Sequence, residues 1–451
     1  MPSDVDVAVV GAGVAGLSAA CLLRDAGLSV RVFESGHRVG GRMASFRHQG
    51  YTIDEGAEQI PTYGYGATWK MLRELGIPLD DVPLIGRSIG MWRNGRAHAG
   101  VSDPRGLLSG AGLSARARLD LVRFMAFAYR RRHEFDPDHP DRSPLGARTI
   151  AGFANRYHRD LHDYLFQPVA GGFFGWDTRV STASPFVSLL LAVGTVPSWR
   201  TYRDGMDTFA RAMAERVDVS TGSAVRQVVA ERDSARVFFD RGTVTARSVL
   251  LCVPAPEAAR LYGNPPPEEL EFLSACAFTP MLKVSCLLDR PLAPACHRKL
   301  YALLVPEVED LELAGVIVDH AKHPGRAPAG RGLLSLLAAP SVIPELLDMP
   351  DAEVVTRLTA RAEHYLPGLA RATTANFVHR FRNGLPAATP EALRLHAGFL
   401  RRGDGPVDYA GDWVTLRPSS EGAVRAAVVA ASRILARRGS AQRPRQRKEA
   451  V

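Results

Sequence analysis

Three glycines, Gly11, Gly13 and Gly16, follow the apolar run Val7-Ala8-Val9-Val10 and open a further apolar stretch that stops at Gly27. Glycines at this spacing suit one task, which is to hold a pyrophosphate against bare main chain. Gly11 permits the tight turn and Gly13 lets the backbone approach the phosphates. Gly16, with Val14 and Ala15 beside it in the turn, lets a helix expected over 17–26 lie close on the strand, its positive end towards the ligand. Glu34, about 20 residues on, closes a second strand over 30–33 and can accept ribose hydroxyls. Gly110-Ala111-Gly112 repeats the glycines without this setting, after the polar Ser102-Asp103-Pro104-Arg105, and reads as a loop.

A second phosphate device comes directly after Glu34, in Ser35-Gly36-His37-Arg38-Val39-Gly40-Gly41-Arg42. Gly40 and Gly41 expose N–H groups, while Arg38 and Arg42 place guanidinium groups where two phosphate charges need neutralising. A simple nicotinamide dehydrogenase would continue with further strand and helix alternation instead. Lys283 stands alone in the apolar strand Met281-Leu282-Lys283-Val284-Ser285-Cys286-Leu287-Leu288. A lysine there is costly unless it meets water, a partner or a cofactor, or faces solvent from an edge strand.

The elements that must position these residues fall into a pattern. Residues 1–62, 200–260 and 395–436 hold the nucleotide-binding segments. Two long insertions, 63–199 and 261–394, contain helical stretches at 67–75, 115–132 and 351–365 and are expected to form a substrate domain. The 451 residues are 46% hydrophobic and 23% charged, which excludes a disordered chain, a collagen and a small disulfide scaffold. The net charge of +9 draws heavily on Arg437, Arg438, Arg443, Arg445, Arg447 and Lys448, so 437–451 reads as a solvated basic tail and no nucleic-acid partner is expected. Five cysteines without C-x-x-C spacing and no secretion signal predict a reduced, cytoplasmic protein. The apolar run 186–196 is shorter than the roughly 20 residues that cross a bilayer, and reads as a buried helix or a pocket wall.

Metal catalysis finds little support. His158 and His162 are four apart but lack a third ligand, and His320 and His323 read as an exposed polar loop, so no metal is expected. There is no P-loop and no G-x-S-x-G elbow. Without a second nucleotide fingerprint, oxygen or another acceptor is favoured over NAD(P)H as the electron partner.

The R-x-G-G-R segment at 38–42, behind a complete nucleotide fingerprint, resembles the flavin-containing amine oxidase superfamily, which includes protoporphyrinogen oxidases and carotenoid desaturases. Asp204-Gly205-Met206 is similar to that family's G-G-M segment, with Asp204 for the first glycine. The resemblance implies that Val225 lies near the adenine end and Pro254 ends a strand beside the cofactor, although both also suit a plain strand and its terminator. Gly411-Asp412 and Glu421-Gly422-Ala423 resemble the closing motif. There Asp412 would bind the ribityl or phosphate region, and the N–H groups opening the Gly422-Ala423 helix would face the flavin's pyrimidine edge. Lys283 would hold a water or oxygen near flavin N5.

Two departures bear on substrate. Ser419 replaces an aromatic wall of the amine cage, and no cysteine adjoins Glu421, which implies non-covalent FAD. Phe166, Phe173, Phe174 and Trp176 are either pocket wall or core. The expected fold is α/β, a Rossmann-like FAD-binding domain assembled discontinuously with an inserted mixed α+β substrate domain. The implied activity is removal of a hydride from a small, largely apolar metabolite to form C=C or C=N. A porphyrinogen oxidase, a flavin-dependent isomerase and a non-redox flavin-binding protein are the alternatives.

Overall fold

The computed structural model describes residues 3–100 and 112–442. Gly110 and Ala111 lie outside the described residues. A seven-stranded sheet occupies the nucleotide-binding part. Val5–Val10 sits at its centre, parallel to Val30–Phe33 on one side and Gly242–Leu251 on the other. Asp218–Ser220 extends the first side, Val407–Tyr409 pairs with residues 249–251, and an antiparallel ribbon, Val225–Ala230 with Ala235–Phe239, completes the sheet. Val7, Ala8 and Val9 are buried on both faces, which is why this run does not alternate with polar residues. The helices Val14–Asp25 and Ser420–Gln442 pack together in the same core, and Ala423, Ala426, Ala427 and Ala430 keep that approach close.

A second seven-stranded sheet takes all its strands from the two insertions. Its order runs Thr373–Pro386, Phe278–Leu288, Gly332–Ala338, Leu313–Val318, Leu300–Leu304, Ser88–Arg93, Arg96–Ala99. Alternation governs its faces. Leu282, Val284, Cys286 and Leu288 point into a leucine-rich core under the helix Asp351–Ala362, which sends Lys283 and Ser285 to the opposite face. A third core gathers the helices Ala115–Arg130, Ile150–Ala154, Gln167–Phe174 and Ala183–Ala192 around Phe124, Phe153, Phe166 and Trp176.

Several expectations are corrected. The helices Gly66–Glu74 and Pro267–Ala275 join the first sheet's core through Met71, Leu72, Phe272 and Leu273, although both lie within the insertions. An amphipathic pattern fixes that a helix has a buried face, not which core receives it. The C-terminal helix runs to Gln442, so 437–442 is helical rather than the start of a solvated tail, and 443–451 lies outside the described residues. His320 belongs to a short helix, Asp319–Lys322, and His323 caps the turn after it; both are half-buried rather than exposed. Among the described residues no helix is long and apolar enough to cross a membrane.

Candidate functional site

The helix Val14–Asp25 begins with no capping side chain and no acid in its first turn, so the N–H groups of Val14, Ala15 and Gly16 present uncompensated positive charge. Gly11 has φ +103°, and a Cβ there would stand 2.9 Å from the Cys252 carbonyl oxygen. At Gly13 a Cβ would meet nothing within 4 Å, so this stretch of backbone borders open space. Gly40 donates its N–H to the Ala12 carbonyl at 2.9 Å, which brings the second glycine pair beside the first. Gly40 and Gly41 have φ of 108° and 53°, and successive N–H groups in such a conformation form an anion-binding concavity. This uncapped helix, open glycine and left-handed glycine pair fit the pyrophosphate of a dinucleotide.

Glu34 braces the loop. Its Oε2 accepts the Ala12 N–H at 2.8 Å, while Oε1 accepts from the Gly36 N–H at 2.7 Å and from the Ser35 hydroxyl at 3.3 Å. The Glu34 carbonyl accepts the Ser223 N–H at 2.8 Å, which seats the start of Val225–Ala230 beside this loop. Pro254 instead opens the short helix Ala255–Leu261.

Both arginines are already ion-paired. Arg42 forks onto Asp412 at 2.7 and 2.8 Å and donates to the Gly384 carbonyl at 2.8 Å, tying together residues 370 positions apart. Arg38 pairs with Glu55 at 2.6 Å and lines an open groove of about 570 Å³ with Phe46, Phe377 and His379. Asp412 is therefore already half of an ion pair.

The closing motif also differs in detail. The last helix starts at Ser420, and Ser419 caps it, its hydroxyl accepting the Gly422 N–H at 3.1 Å and its carbonyl the Ala423 N–H at 3.1 Å. In the first turn of this helix the Gly422 and Ala423 N–H groups are thus taken up by Ser419, which leaves those of Ser420 and Glu421 to open it, two positions earlier than expected. The strand before the motif ends at Tyr409, and the turn from Gly411 passes through Leu416 at φ 50°. The Glu421 carboxylate is fully buried and accepts from the Ala67 and Thr68 N–H groups at 3.1 and 2.8 Å and from Arg425 at 2.6 Å. It caps the helix Gly66–Glu74, so only its main chain is free for a cofactor.

Lys283 is buried and finds its partners in the segment after the second glycine pair. Its Nζ donates to the Asp54 carbonyl and to Glu58 Oε1, the latter at 2.6 Å. Lys322 meets Glu58, Asp54 and Asp319, and Arg326 meets Asp54 at 2.9 Å. Asp54, Glu58 and Asp319 hold oxygens within 4.8 Å of one another, a spacing that suits a cation, but three protein cations already occupy the cluster. Asp54 also accepts the Met206 N–H at 2.9 Å, made possible by Gly205 at φ +102°, where a side chain would crowd Ser45 and Asp207. Burial pushes the Asp54 carboxyl up, but Arg326, Lys322, the Met206 N–H and Lys283 outweigh it and hold it well below the usual carboxylate range. Glu58 goes the other way: burial raises it despite Lys283 and Lys322, and Asp319 and Asp54 add to the rise. Sequence reasoning missed Glu58, Asp319, Lys322 and Arg326. The one signal was the need of a buried lysine for a counter-charge.

His379, the strand neighbour of Lys283, bonds the Ser285 hydroxyl at 3.1 Å and is held neutral, pushed down to about 3 by burial and then by Lys283. A histidine depressed from an ordinary value of about 6.5 makes the unfolded chain the better proton binder below that value. The melting temperature should therefore fall as pH drops from about 6.5 towards 3, with a slope in stability approaching 1.4 kcal/mol per pH unit. Thermal melts of His379→Gln across this range should show a shallower loss.

Of the other candidates, Phe166 and Trp176 are core, whereas Phe173 and Phe174 are half-buried, Phe173 stacking edge-on with Trp199 at 5.4 Å. His158 caps a helical turn, and His162 bonds Asp163 and Thr178, so the two do not converge.

A family model described as flavin containing amine oxidoreductase matches residues 14–435. The chain is 30% identical over 168 residues to protoporphyrinogen oxidase 2, chloroplastic/mitochondrial, of Arabidopsis thaliana, covering 37% of this chain and 32% of that protein. The matched stretches thus span about a third or less of the curated relatives' length. The fold is similar to putrescine oxidase, in its wild-type form bound to putrescine, with a TM-score of 0.76 at 20% identity over 96% of this chain and 99% of that one. It is also similar to cyclohexylamine oxidase of Brevibacterium oxydans, with a TM-score of 0.77 at 17% identity over 97% and 100%. With a family match that begins at the first residue of the helix Val14–Asp25 and ends in the last helix, the chain belongs to the flavin-containing amine oxidoreductases, whose cofactor is FAD.

Proposed function

We propose that this protein oxidises a small, largely apolar molecule by removing a hydride and a proton from adjacent atoms, leaving a C=C or C=N bond. The observation that carries this reading is what borders the Lys283–Glu58 pair. Leu337, the strand partner of Lys283, lies in one buried apolar cluster with Met91, Trp199, Tyr301 and Ile317. A dry apolar wall against a single charged cluster favours hydride transfer between carbon and a cofactor over acid–base hydrolysis. Bound FAD would supply the two-electron acceptor, with oxygen or another acceptor as the final electron partner. Gly11, Gly13, Gly16, Gly40 and Gly41 would bind its diphosphate, and Glu34 its ribose. The N–H groups opening the last helix would stabilise charge on its pyrimidine edge. Lys283 would orient a water or oxygen, with Glu58 fixing the ammonium. Tyr301 Oη and Gln59 Oε1 are buried without a partner and could receive a polar end of the substrate.

The test is the visible spectrum of the anaerobic holoenzyme mixed in turn with amines, partly saturated heterocycles, polyenes and a porphyrinogen, then exposed to air. Bleaching by one class and recovery in air is the expected result. Conversion of substrate with no oxygen use would mark an isomerase, and no bleaching by any class would count against the reading. In Lys283→Met the recovery in air should slow by about tenfold or more; an unchanged rate removes Lys283 from the mechanism. The stretch shared with protoporphyrinogen oxidase favours a porphyrinogen as second reading, and its signature is a coloured porphyrin product.

A further inference from the structure

The helix Ala115–Arg130 fastens itself to the protein through Ala117, Leu121, Phe124 and Ala128. It nevertheless exposes a second apolar face, with Leu119 64%, Val122 55%, Met125 48% and Tyr129 66% exposed. Among the described residues no other helix exposes more than two large apolar side chains. At 100° per residue these four fall within about 120° of arc. Arg116, Arg123 and Arg130, all exposed and seven residues apart, form the adjoining row. Asp120, the helix's acid, is turned inward, bonded to the His158 N–H at 2.7 Å and to Arg123 at 2.6 Å. Arg132 lies over the Tyr129 ring at 4.4 Å, adding positive charge at the end of the stripe.

We propose that this helix docks in the plane of an anionic lipid surface, its apolar stripe among the acyl chains and its arginine row on the phosphates. The charge pattern selects this occupant. In an antiparallel pairing a second copy of the same face would set arginine row against arginine row with no exposed acid on the helix to offset it, and in a parallel one each row would face the partner's flank unmatched, whereas anionic headgroups complement the row along its length. The attachment is peripheral.

The experiment is flotation of the FAD-loaded full chain with vesicles of phosphatidylcholine alone or mixed with phosphatidylglycerol. The expected result is flotation with the anionic vesicles only, lost at high salt. The variant Arg116→Gln/Arg123→Gln/Arg130→Gln should bind about a hundredfold more weakly. Leu119→Ser/Val122→Ser/Met125→Ser should not float at any salt. Flavin content and melting temperature, unchanged in both, certify that each folds. Three outcomes overturn the proposal. Wild type may ignore both vesicles, or the helix variants may float like wild type while Arg443→Gln/Arg445→Gln/Arg447→Gln does not. In the third, the serine variant dissociates a dimer in size-exclusion chromatography.

Discussion

Gly16→Ala yields a protein that retains little or no FAD and melts well below wild type. The added Cβ would stand 2.0 Å from the Gly11 carbonyl oxygen and 3.2 Å from the Cys252 Cβ. The first of these is main chain in a buried turn, so relief comes only by lifting the helix Val14–Asp25 off the strand Val5–Val10. Overpacking of this kind costs about 3 kcal/mol or more. Lifting the helix also withdraws the N–H groups proposed to hold the diphosphate. Gly13→Ala separates the two effects. Its methyl meets no protein atom within 4 Å. The variant should melt like wild-type apoprotein yet lose FAD, because the methyl stands where main chain and phosphate would touch. The ratio of flavin to protein absorbance, read beside the melting curve, checks both. Full flavin content in Gly13→Ala would displace the diphosphate from this turn.

The second large effect is expected at Lys322, whose side chain is wholly buried among Asp54, Glu58 and Asp319. Removing one member of a buried ionic cluster leaves charge uncompensated, and Lys322→Met should cost about 3–5 kcal/mol. Burial and two neighbouring carboxylates already raise Glu58, so it is the group that takes up a proton when the cation is lost. A carboxyl raised above its unfolded value gives stability back as pH falls through the raised value, so the deficit should shrink towards acid pH. Lys322→Met/Glu58→Gln should recover a large part of the loss at neutral pH, and denaturant midpoints for the four proteins of the cycle would show it. Additive losses would mean that the two side chains do not share one charge balance.

What could be read from the sequence followed the reach of each signal. Val5–Val10, the glycine turn, the helix after it and Val30–Phe33 are set by adjacent residues; both strands have their expected bounds, while the helix opens at Val14, three residues before the expected Leu17, because the turn's last residues already take helical backbone. Lys283 could be recognised as a side chain in need of a partner. Its partner could not, because Glu58 is 225 residues from Lys283 and 264 from Lys322, which it also meets. Arg42 and Asp412 each carried a plausible role at the cofactor, yet side-chain charge says nothing of who meets whom, and they meet one another. Glu421 looked like part of a binding motif and is in fact the cap of a helix some 350 positions earlier. The sequence pattern located the motif, whereas its hydrogen bonds were set by the tertiary approach of Gly66–Glu74. The helix start was misplaced by two residues because a capping serine is silent until its hydroxyl has an N–H to accept.

The central strand Val5–Val10 is paired early in the chain, but Val407–Tyr409 and Ser420–Gln442 finish the same sheet and core. During synthesis, more than half of the molecule must be made before the strand Gly242–Leu251 has its last neighbour. A ribosome that stalls before residue 407 therefore releases a chain with an open strand edge, an uncovered alanine-rich groove on Val14–Asp25, and Arg42 without Asp412. Such a chain would be colourless and prone to proteolysis. Flavin held by the isolated chain would accordingly report that synthesis had passed the helix Ser420–Gln442, so that cofactor loading serves as a check on the assembled core.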